Sequence, residues 1–393
     1  MKKIRLYIVK NLSPWMIDEL LSFARTTSFI VILLRPSTEF YNKGLSELSR
    51  RGISVIYANK KLNLNMRYLA FCLNFFWHNR KNYLGCYNFI IGIQSIYYFL
   101  KMDKSIVENA GSIHAQFATQ ASIVACLIKE YLNDECDLFI TCHAYDIFYR
   151  NNWLSYLINK TKYTFTISDF NKYYIINNYH VNGSKVILAR LGVNRPDNNF
   201  ASRYRGSEIN IGFMSYFTKK KGIQYFLDAV LHLKYVYGIS LKVHIAGDGE
   251  KKYKLMINEF INKNKLSNDV KVYGRISGED KSRFYKAIDV FVLPSVIVKN
   301  DMEGIPVVLM EAISYGIPVI STDISGISEI CRNKVNGSLI PQKDSQSISS
   351  SIFELYQNKS LWEYYSKNSK LISQGEYSLD VNSVYKIKMM NWI

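Results

Sequence analysis

The sequence of 393 residues lacks the features that define several common classes of protein. Its six cysteines contain no Cys-x-x-Cys pair and no zinc-site spacing, so we expect buried free thiols in a reducing cytosol. The longest apolar stretch, residues 87–100, is too short to span a bilayer. The first ten residues indicate a short strand and not a signal peptide.

Motifs for several kinds of chemistry are also missing. No Asp-x-Asp pair occurs, so the sequence has no acidic pair of the kind that holds a metal ion against a diphosphate. It contains neither a P-loop nor a Gly-x-Ser-x-Gly nucleophile motif.

Acidic residues are scarce relative to basic ones: 50 Lys and Arg against 32 Asp and Glu give a net charge of +18. Residues 1–195 hold 24 basic and 12 acidic residues (+12), and residues 196–393 hold 26 and 20 (+6). Such a basic half attracts nucleic acid, anionic lipid or a phosphorylated glycolipid. No nucleic-acid-binding motif accompanies the charge, so we expect no nucleic-acid partner.

The segment from Lys60 to Lys81 mixes basic residues, including Lys61, with Leu, Phe and Trp. This pattern is typical of an amphipathic helix at a membrane surface, and equally of a core helix with a solvated edge. We keep both interpretations.

Strand and helix patterns alternate through the chain. The predicted strands are 3–9, 29–34, 53–58, one ending near 117, 138–142, 163–167, 209–213, 242–246, 270–273, 290–293 and 318–321. The helices predicted in the second half are 221–237, 250–264, 279–287, 304–315 and 379–391. This order predicts an α/β chain of two doubly wound domains, 1–195 and 196–375, with a polar junction near 192–205 and a final segment 376–393.

Two glutamates eight positions apart, Glu303 and Glu311, bracket the predicted start of a helix. Pro306 between them suits a first helical turn, where its missing N–H has no cost. Because a strand pattern precedes the pair, Glu303 falls at the mouth of a strand–loop–helix unit, where free N–H groups and the helix dipole favour an anion. By itself, an acidic residue at a helix start more often only caps the helix.

The stretch from Leu293 to Ile330 resembles the retaining glycosyltransferases of family 4. There the Glu-x7-Glu pair, a Ser-Tyr-Gly-Ile-Pro-Val-Ile-Ser-Thr strand and a Ser-Gly-Ile-Ser-Glu turn follow in the same order as here. The chain is most similar to bacterial transferases of colanic-acid, O-antigen and exopolysaccharide assembly, over most of residues 110–345. The resemblance implies a GT-B fold: two Rossmann-like domains, a nucleotide sugar in the interdomain cleft, and a last helix that returns to the N-terminal domain.

The resemblance assigns roles to both glutamates. It places Glu303 near the transferred sugar as a catalytic residue. It implies that Glu311 holds the ribose hydroxyls, since a carboxylate accepts two O–H bonds at once. It also implies that four backbone N–H groups face the sugar and the distal phosphate: those of Gly304, Ile305, Val307 and Val308.

In this family an arginine and a lysine neutralise the diphosphate. Lys221 and Gly222 are predicted to open a helix, and Lys221 matches the family's lysine. Tyr216 stands where the arginine is expected. Lys219 or Lys220 can supply the missing charge as a point donor, or can be exposed cations at a helix start.

Three further segments complete the expected site. Gly247 belongs to a Gly-Asp-Gly turn after a strand, and the main chain of Arg275 and Ile276 matches where relatives read the nucleobase. His143 lies in a His-x-x-Asp segment that, in the family, lines the cleft beside the sugar. His114 is expected to pack or to support the site.

The resemblance implies a retaining, metal-independent transferase that needs no cofactor. Its donor would be a UDP- or GDP-sugar, and its acceptor a glycolipid or oligosaccharide used in surface polysaccharide synthesis. It would work in the cytoplasm as a peripheral protein of an anionic inner-membrane surface. Two alternatives remain: a sugar-nucleotide epimerase with the same architecture, and a non-enzymatic basic protein that binds polyanions or membranes.

Overall fold

The computed structural model describes residues 3–36, 41–58, 62, 65–149, 151–196, 204, 206–299 and 301–393. It divides the chain into two compact units: Met1–Arg190 together with Leu379–Ile393, and Leu191–Ser378. Much of the predicted junction, 197–203 and 205, lies outside the described residues, as do Lys60 and Lys61 of the predicted amphipathic segment.

The first unit is built on a parallel sheet of seven strands in the order β3-β2-β1-β4-β5-β6-β7. Its strands are β1 Ile4–Val9, β2 Ile30–Leu33, β3 Ser54–Tyr57, β4 Ala110–Gln116, β5 Asp137–Cys142, β6 Tyr163–Thr166 and β7 Val186–Leu188. Its helices are α1 Pro14–Phe23, α2 Asn42–Arg50, α3 Met66–His78, α4 Cys86–Leu100, α5 Lys104–Glu108, α6 Gln120–Tyr131, α7 Tyr145–Phe148, α8 Leu154–Lys160 and α9 Asp169–Tyr179. The near-continuous apolar runs of its central strands follow from burial on both faces.

The second unit repeats this plan with a parallel sheet of six strands in the order β10-β9-β8-β11-β12-β13. Its strands are β8 Ile209–Phe217, β9 Leu241–Gly249, β10 Val270–Gly274, β11 Val290–Leu293, β12 Val319–Thr322 and β13 Gly337–Ile340. Its helices are α10 Ile223–Tyr235, α11 Lys251–Lys263, α12 Gly278–Ala287, α13 Val307–Ser314, α14 Ile327–Ile330, α15 Ser345–Gln357 and α16 Lys359–Glu376.

The last helix, α17 Leu379–Met389, belongs to the first unit and packs against α1. Met390 and Trp392 follow it into the same buried cluster as Tyr7 and Phe23. The Trp392 indole N–H donates to Ser112 of β4 at 2.7 Å, which fixes the end of the chain beside the central strands.

Each sheet has one point where the order of its strands reverses: between β1 and β4 in the first unit, and between β8 and β11 in the second. Ligands of open α/β sheets bind at the carboxyl ends of the strands at such a point. The residues that follow β1, β4, β8 and β11 are therefore the first places to look for a site.

Several predicted elements differ from the observed ones. Strands β8 and β9 pair as far as Phe217 and Gly249, so the expected turn at Gly247 is part of a strand. Gly247 has a φ of 129°, and a Cβ there would lie 1.8 Å from the Ser215 carbonyl oxygen, so this close approach requires glycine. Strands β7 and β13 were not predicted, because β7 has only three residues and β13 has only two large apolar ones, Leu339 and Ile340.

Two expectations from composition have clear outcomes. All six cysteines are free and five are buried, but Cys86 at the start of α4 is exposed, so the expectation of buried thiols is wrong for this residue. Among the helices of the described residues, none has the length and apolar character needed to cross a bilayer.

Candidate functional site

The carboxyl edge of the second sheet brings a lysine turn and a glutamate together at the strand-order reversal. After β8 the chain forms a short 3-10 turn over Lys219–Lys221, and α10 begins only at Ile223, two residues later than predicted. Glu303 follows the neighbouring strand β11. Both segments thus leave the sheet at the same edge, where parallel α/β sheets bind ligands.

Gly222 lets the lysine turn approach the loop after β11. Its φ is 66°, and an added Cβ would lie 1.9 Å from the Pro294 carbonyl oxygen, so another residue cannot occupy this position without a backbone shift. The Val296 N–H donates to the Lys220 carbonyl oxygen at 2.8 Å. Backbone packing and this hydrogen bond together hold the lysines against the loop that leads to Glu303.

Lys220, Lys221, Asp301 and Glu303 form an ion-pair cluster. The Lys221 Nζ lies 2.9 Å from the Glu303 Oε1, and the Lys220 Nζ lies 3.5 Å from the same oxygen and 3.0 Å from the Asp301 Oδ1. The Lys220 side chain is only 22% exposed. The interpretation of Lys220 as a freely solvated cation is therefore wrong, and the site holds two ordered lysines.

Burial and charge act in opposite directions on this cluster. Burial alone would raise the pKa of the Glu303 carboxyl, but the Lys221 and Lys220 ammonium groups outweigh it and hold the pKa below its usual range. Burial would also lower the pKa of Lys220, and Glu303 and Asp301 raise it instead. Glu303 and Lys220 consequently stay ionised around neutral pH.

The start of α13, four residues after Glu303, adds backbone N–H donors for which no acceptor is found among the described residues. Pro306 is the N-cap residue, with φ −66° and ψ 126°, so the helix begins at Val307, three residues later than the predicted start at 304, and Gly304 and Ile305 precede it. The first bond to the cap carbonyl comes from the Leu309 N–H, at 3.0 Å to the Pro306 oxygen. Val307 and Val308 precede Leu309 in the first turn of the helix, where the backbone N–H groups have no intrahelical acceptor.

Glu311 lies in the second turn of α13 and has two partners on α12. Its Oε1 forms an ion pair with Lys281, and its Oε2 accepts a hydrogen bond from the Tyr285 hydroxyl at 2.8 Å. The same hydroxyl lies 3.3 Å from the Val308 carbonyl oxygen. Burial and the Glu311 carboxylate raise the pKa of Tyr285 well above its usual value, so this tyrosine is a neutral donor that orients the carboxylate.

The remaining candidates of the second unit lie along the same edge of the sheet. Gly247 is near the end of β9, next to β8, and Arg275 and Ile276 follow β10, one strand further out. Tyr216, at the position of the expected arginine, is a strand residue with 64% exposure. It has no structural role in the core that a basic side chain would disturb.

In the first unit, His143 follows β5 and is nearly buried. Its Nε2 lies 2.7 Å from the Gln116 Oε1, and its backbone N–H donates to the Asp146 Oδ1 at 3.0 Å. Burial, with a smaller effect of Lys386, lowers the pKa of His143 to about 3, so the ring is neutral.

Asp146 organises the loop around His143. Its carboxylate also accepts from the Ala144 N–H at 3.1 Å and from the Ala118 N–H at 2.8 Å, while burial raises its pKa to about 6. His114 is fully buried, bonds Thr141 at 2.8 Å through Nε2, and thus packs in the interior of the sheet.

Sequence reasoning missed the residues that hold the candidate side chains in place. Lys281 and Tyr285 lie four positions apart on one face of α12, and that spacing is the signal that could have identified them. No comparable signal marks Glu19 of α1 or Lys386 of α17, which are charged residues on helices and are usually exposed.

Comparison with known proteins agrees with this geometry. Residues 194–372 match the family model described as Glycosyl transferases group 1. The putative colanic acid biosynthesis glycosyltransferase WcaL of Salmonella typhimurium is 31% identical over 174 residues, covering 43% of this chain and 42% of the relative. The amylovoran biosynthesis glycosyltransferase AmsK of Erwinia amylovora is 33% identical over 178 residues, covering 44% and 43%. The chain thus matches about two fifths of the length of these relatives.

A longer match and the solved structures extend the similarity to both units. An uncharacterized glycosyltransferase of Methanocaldococcus jannaschii is 28% identical over 294 residues, covering 72% of this chain and 76% of that protein. The structure of Anabaena HepE in complex with UDP and glucose covers 100% of both chains, with 15% identity and a TM-score of 0.73. The predicted fold class, GT-B with two Rossmann-like domains, is confirmed by these neighbours. Residues 194–372 of this chain are thus similar to the group 1 glycosyl transferases, and the remaining similarity is one of fold.

Proposed function

We propose that the chain is a retaining, metal-independent glycosyltransferase of bacterial surface polysaccharide synthesis. It moves a sugar from a UDP- or GDP-sugar to a hydroxyl of a lipid-linked or polysaccharide acceptor. The observation that carries this proposal is the cluster of Lys220, Lys221 and Glu303 beside the first amides of α13, within a glycosyl transferases group 1 domain. Relatives named for colanic acid and amylovoran biosynthesis support the assignment to polysaccharide synthesis.

The two lysines supply the charge that a diphosphate needs. In the absence of donor they pair with Glu303, so both ammonium groups are already ordered at the end of β8. A bound diphosphate accepts hydrogen bonds from Lys221, from Lys220 and from the amides of Val307 and Val308. These groups stabilise the negative charge that grows on the leaving diphosphate, and they replace a metal ion in that role.

Glu311 is suited to bind the ribose of the donor. A carboxylate accepts two hydrogen bonds from a vicinal diol, and Tyr285 and Lys281 of α12 hold the Glu311 carboxylate in place. Partners that orient a binding group reduce the entropy lost when the ligand binds. Gly247, Arg275 and Ile276, along the same sheet edge, complete the nucleotide side of the proposed site.

The chemistry follows from departure of the diphosphate. The sugar acquires oxocarbenium-like positive charge, and the Glu303 carboxylate lies at the helix start where it can stabilise that charge. The acceptor hydroxyl attacks on the face from which the diphosphate leaves, and its proton passes to the leaving phosphate. Retention of configuration is the consequence of this same-face attack.

The first unit offers a surface suited to an anionic membrane. Between Glu47 and Asp103 the sequence contains no acidic residue and eight basic ones. Helices α3 and α4 in this segment expose Leu73, Trp77, Phe89, Ile90, Ile93 and Tyr97. Arg80 lies over the Trp77 ring at 5.1 Å and Lys101 over the Tyr97 ring at 5.0 Å. Exposed aromatic rings beside cations are typical of segments that lie at a lipid interface.

Vesicle co-sedimentation tests the membrane part of the proposal. The protein sediments with vesicles that contain phosphatidylglycerol and is released by high salt, because surface attraction is screened. The double variant Leu73→Ser with Trp77→Ser binds less, whereas Leu255→Ser, at a 48% exposed position of α11 in the second unit, binds like the parent. Equal binding to neutral vesicles at both salt levels contradicts the proposal.

A donor screen tests the catalytic part. Thermal shift against UDP-sugars, GDP-sugars and the free nucleotides identifies a stabilising donor, since a ligand that binds the folded state raises the melting temperature. That donor then releases UDP or GDP slowly without acceptor. Conversion into another nucleotide sugar without release of UDP or GDP supports an epimerase instead. Stabilisation by polyanions alone supports the non-enzymatic alternative.

A further inference from the structure

A buried ion pair joins the last helix to the strand-order reversal of the first sheet. Lys386 of α17 is 1% exposed and pairs with Glu19 of α1, whose side chain is 5% exposed. A buried ion pair is weak evidence for stability, because the desolvation of two charges offsets their attraction. A specific geometric role is therefore the better explanation for its presence.

The two oxygens of Glu19 have different partners. Oε1 accepts from Lys386, and Oε2 accepts from the Tyr7 hydroxyl at 2.8 Å and from the Gln116 Nε2 at 2.7 Å. The Gln116 Nε2 also donates to the Tyr7 hydroxyl at 2.6 Å. Glu19 forms an ion pair with Lys386, and a carboxylate in such a pair only accepts hydrogen bonds.

This network fixes which way the Gln116 amide points. An acceptor-only carboxylate requires the NH2 group on its side, so the amide oxygen must face the opposite direction. That oxygen lies 2.7 Å from the His143 Nε2. Because an amide oxygen only accepts, the His143 Nε2 must carry the hydrogen, which leaves Nδ1 of the neutral ring with a lone pair.

The position of His143 suits contact with a ligand. Its ring is 4.9 Å from the Trp15 ring and 4.4 Å from the Phe117 ring, measured between centroids. Phe117 follows β4 with a φ of 66°, a strained conformation for an aromatic residue and a type of strain that collects at functional sites. Within the described part of the chain, Nδ1 has no hydrogen-bond partner.

We infer that Lys386, Glu19 and Gln116 are positioning residues that hold His143 as the Nε2–H tautomer, so that its Nδ1 accepts a hydrogen bond from a substrate hydroxyl. The tautomer follows from the hydrogen-bond geometry alone, and the contact with substrate rests on the proposed function. Lys386 acts through Glu19: it donates to Oε1, and Oε2 of the same carboxylate sets the direction of the Gln116 amide.

Glu19→Gln provides a direct test because it reverses the network. The new amide must turn its oxygen to the Lys386 ammonium, which cannot accept, and its NH2 group to Gln116. Gln116 then presents its own oxygen to that group and its NH2 to His143. The His143 Nε2 becomes an acceptor, and the hydrogen moves to Nδ1. Tyr7→Phe is the matched control, because it removes one hydroxyl while the Glu19 carboxylate still accepts from the Gln116 NH2 group and orients the amide.

The measurement is NMR of protein labelled with 15N-histidine, in which the two tautomers have distinct ring nitrogen shifts, and His143→Gln identifies the signal. The parent and Tyr7→Phe show Nε2–H, whereas Glu19→Gln shows Nδ1–H. A parent protein with Nδ1–H, or an unchanged tautomer in folded Glu19→Gln, overturns the inference.

Donor analogues test the contact with substrate. Each deoxyfluoro analogue of the sugar nucleotide has one hydroxyl replaced by fluorine, which accepts a hydrogen bond but cannot donate one. The analogue altered at the hydroxyl that contacts His143 therefore reacts poorly with the parent. Loss of that one bond lowers kcat/KM by about three- to tenfold. In Glu19→Gln the His143 Nδ1 carries the hydrogen and donates a hydrogen bond, so this variant no longer discriminates against the fluorinated analogue. Tyr7→Phe still does. Equal discrimination in all three proteins refutes the contact, whereas the absence of any turnover refutes the proposed function and leaves the tautomer test intact.

Discussion

Glu303→Gln separates nucleotide binding from catalysis more sharply than any other change in this chain. The Glu303 Oε1 lies 2.9 Å from the Lys221 Nζ and 3.5 Å from the Lys220 Nζ. A diphosphate must share these lysines with the carboxylate. Removal of the negative charge frees both ammonium groups, so the free nucleotide diphosphate should bind more tightly while sugar transfer becomes slower.

The geometry sets the magnitudes. At 2.9 Å and an effective dielectric constant of about 20, two unit charges attract by roughly 6 kcal/mol, most of which offsets their desolvation. The loss of unfolding free energy should be about 1–3 kcal/mol, since the lysines retain some solvent. One charge-assisted hydrogen bond made available to the diphosphate is worth roughly 1.5–3 kcal/mol, or about ten- to hundredfold in affinity. Turnover should fall by about a hundredfold, as for a group that stabilises transition-state charge.

Isothermal titration with UDP or GDP, urea unfolding and donor turnover measure these three effects. Asp301→Asn is the matched control: it also removes one carboxylate, 3.0 Å from Lys220, but at a position with 36% exposure and away from Lys221. It should change nucleotide affinity by less than Glu303→Gln and leave turnover near the parent value. If Glu303→Gln binds the nucleotide more weakly than the parent, the lysines do not hold the diphosphate and the proposed site is wrong.

Three further outcomes follow from the same contacts. Glu311→Ala should weaken nucleotide binding by about ten- to hundredfold and Tyr285→Phe by less, in the same titration, and equal affinities would exclude a ribose contact. Activity should survive EDTA, and loss on chelation with recovery on added manganese would show that a metal is required. Burial lowers the pKa of His143 to about 3, against 6.5 for a free imidazole, so protons favour the unfolded chain and unfolding free energy should fall as the pH drops below about 6.5. Asp146, with its pKa raised to about 6, opposes this effect between about pH 6 and 4. Because His143→Gln lacks the imidazole, its unfolding free energy, measured with urea, should fall less at low pH than that of the parent.

Most of the fold could be predicted from the sequence, because the strands are buried on both faces and therefore appear as apolar runs. Strands such as β11 and β12, with every residue buried, were predicted to within a residue. The end of β8 was missed, since Ser215 and Tyr216 interrupt the apolar run and only pairing with β9 keeps them extended. Short edge strands such as β13 have too few residues to produce a pattern.

The candidate site was predictable where a role needs a particular residue at a particular spacing. Glu303 and Glu311 have that character, because one precedes a helix and the other lies two turns later. The state of Lys220 was not predictable, since its partner Asp301 is 81 positions away in the chain. The same reason hides Lys386, which meets Glu19 across 367 positions. Long-range ion pairs leave no periodic signal in a sequence.

The chain path has a consequence for biosynthesis. The second unit is inserted into the first, and its two ends are joined by a bridge in which the Val193 N–H donates to the Tyr377 carbonyl oxygen at 2.9 Å. As domains generally fold as units during translation, the inserted unit should reach its native state while the first still lacks Lys386 and Trp392. The positioning network around His143 is completed only when Lys386 has left the ribosome. A nascent chain truncated before α17 should thus contain a folded second unit and an incomplete first one, distinguishable by pulse proteolysis.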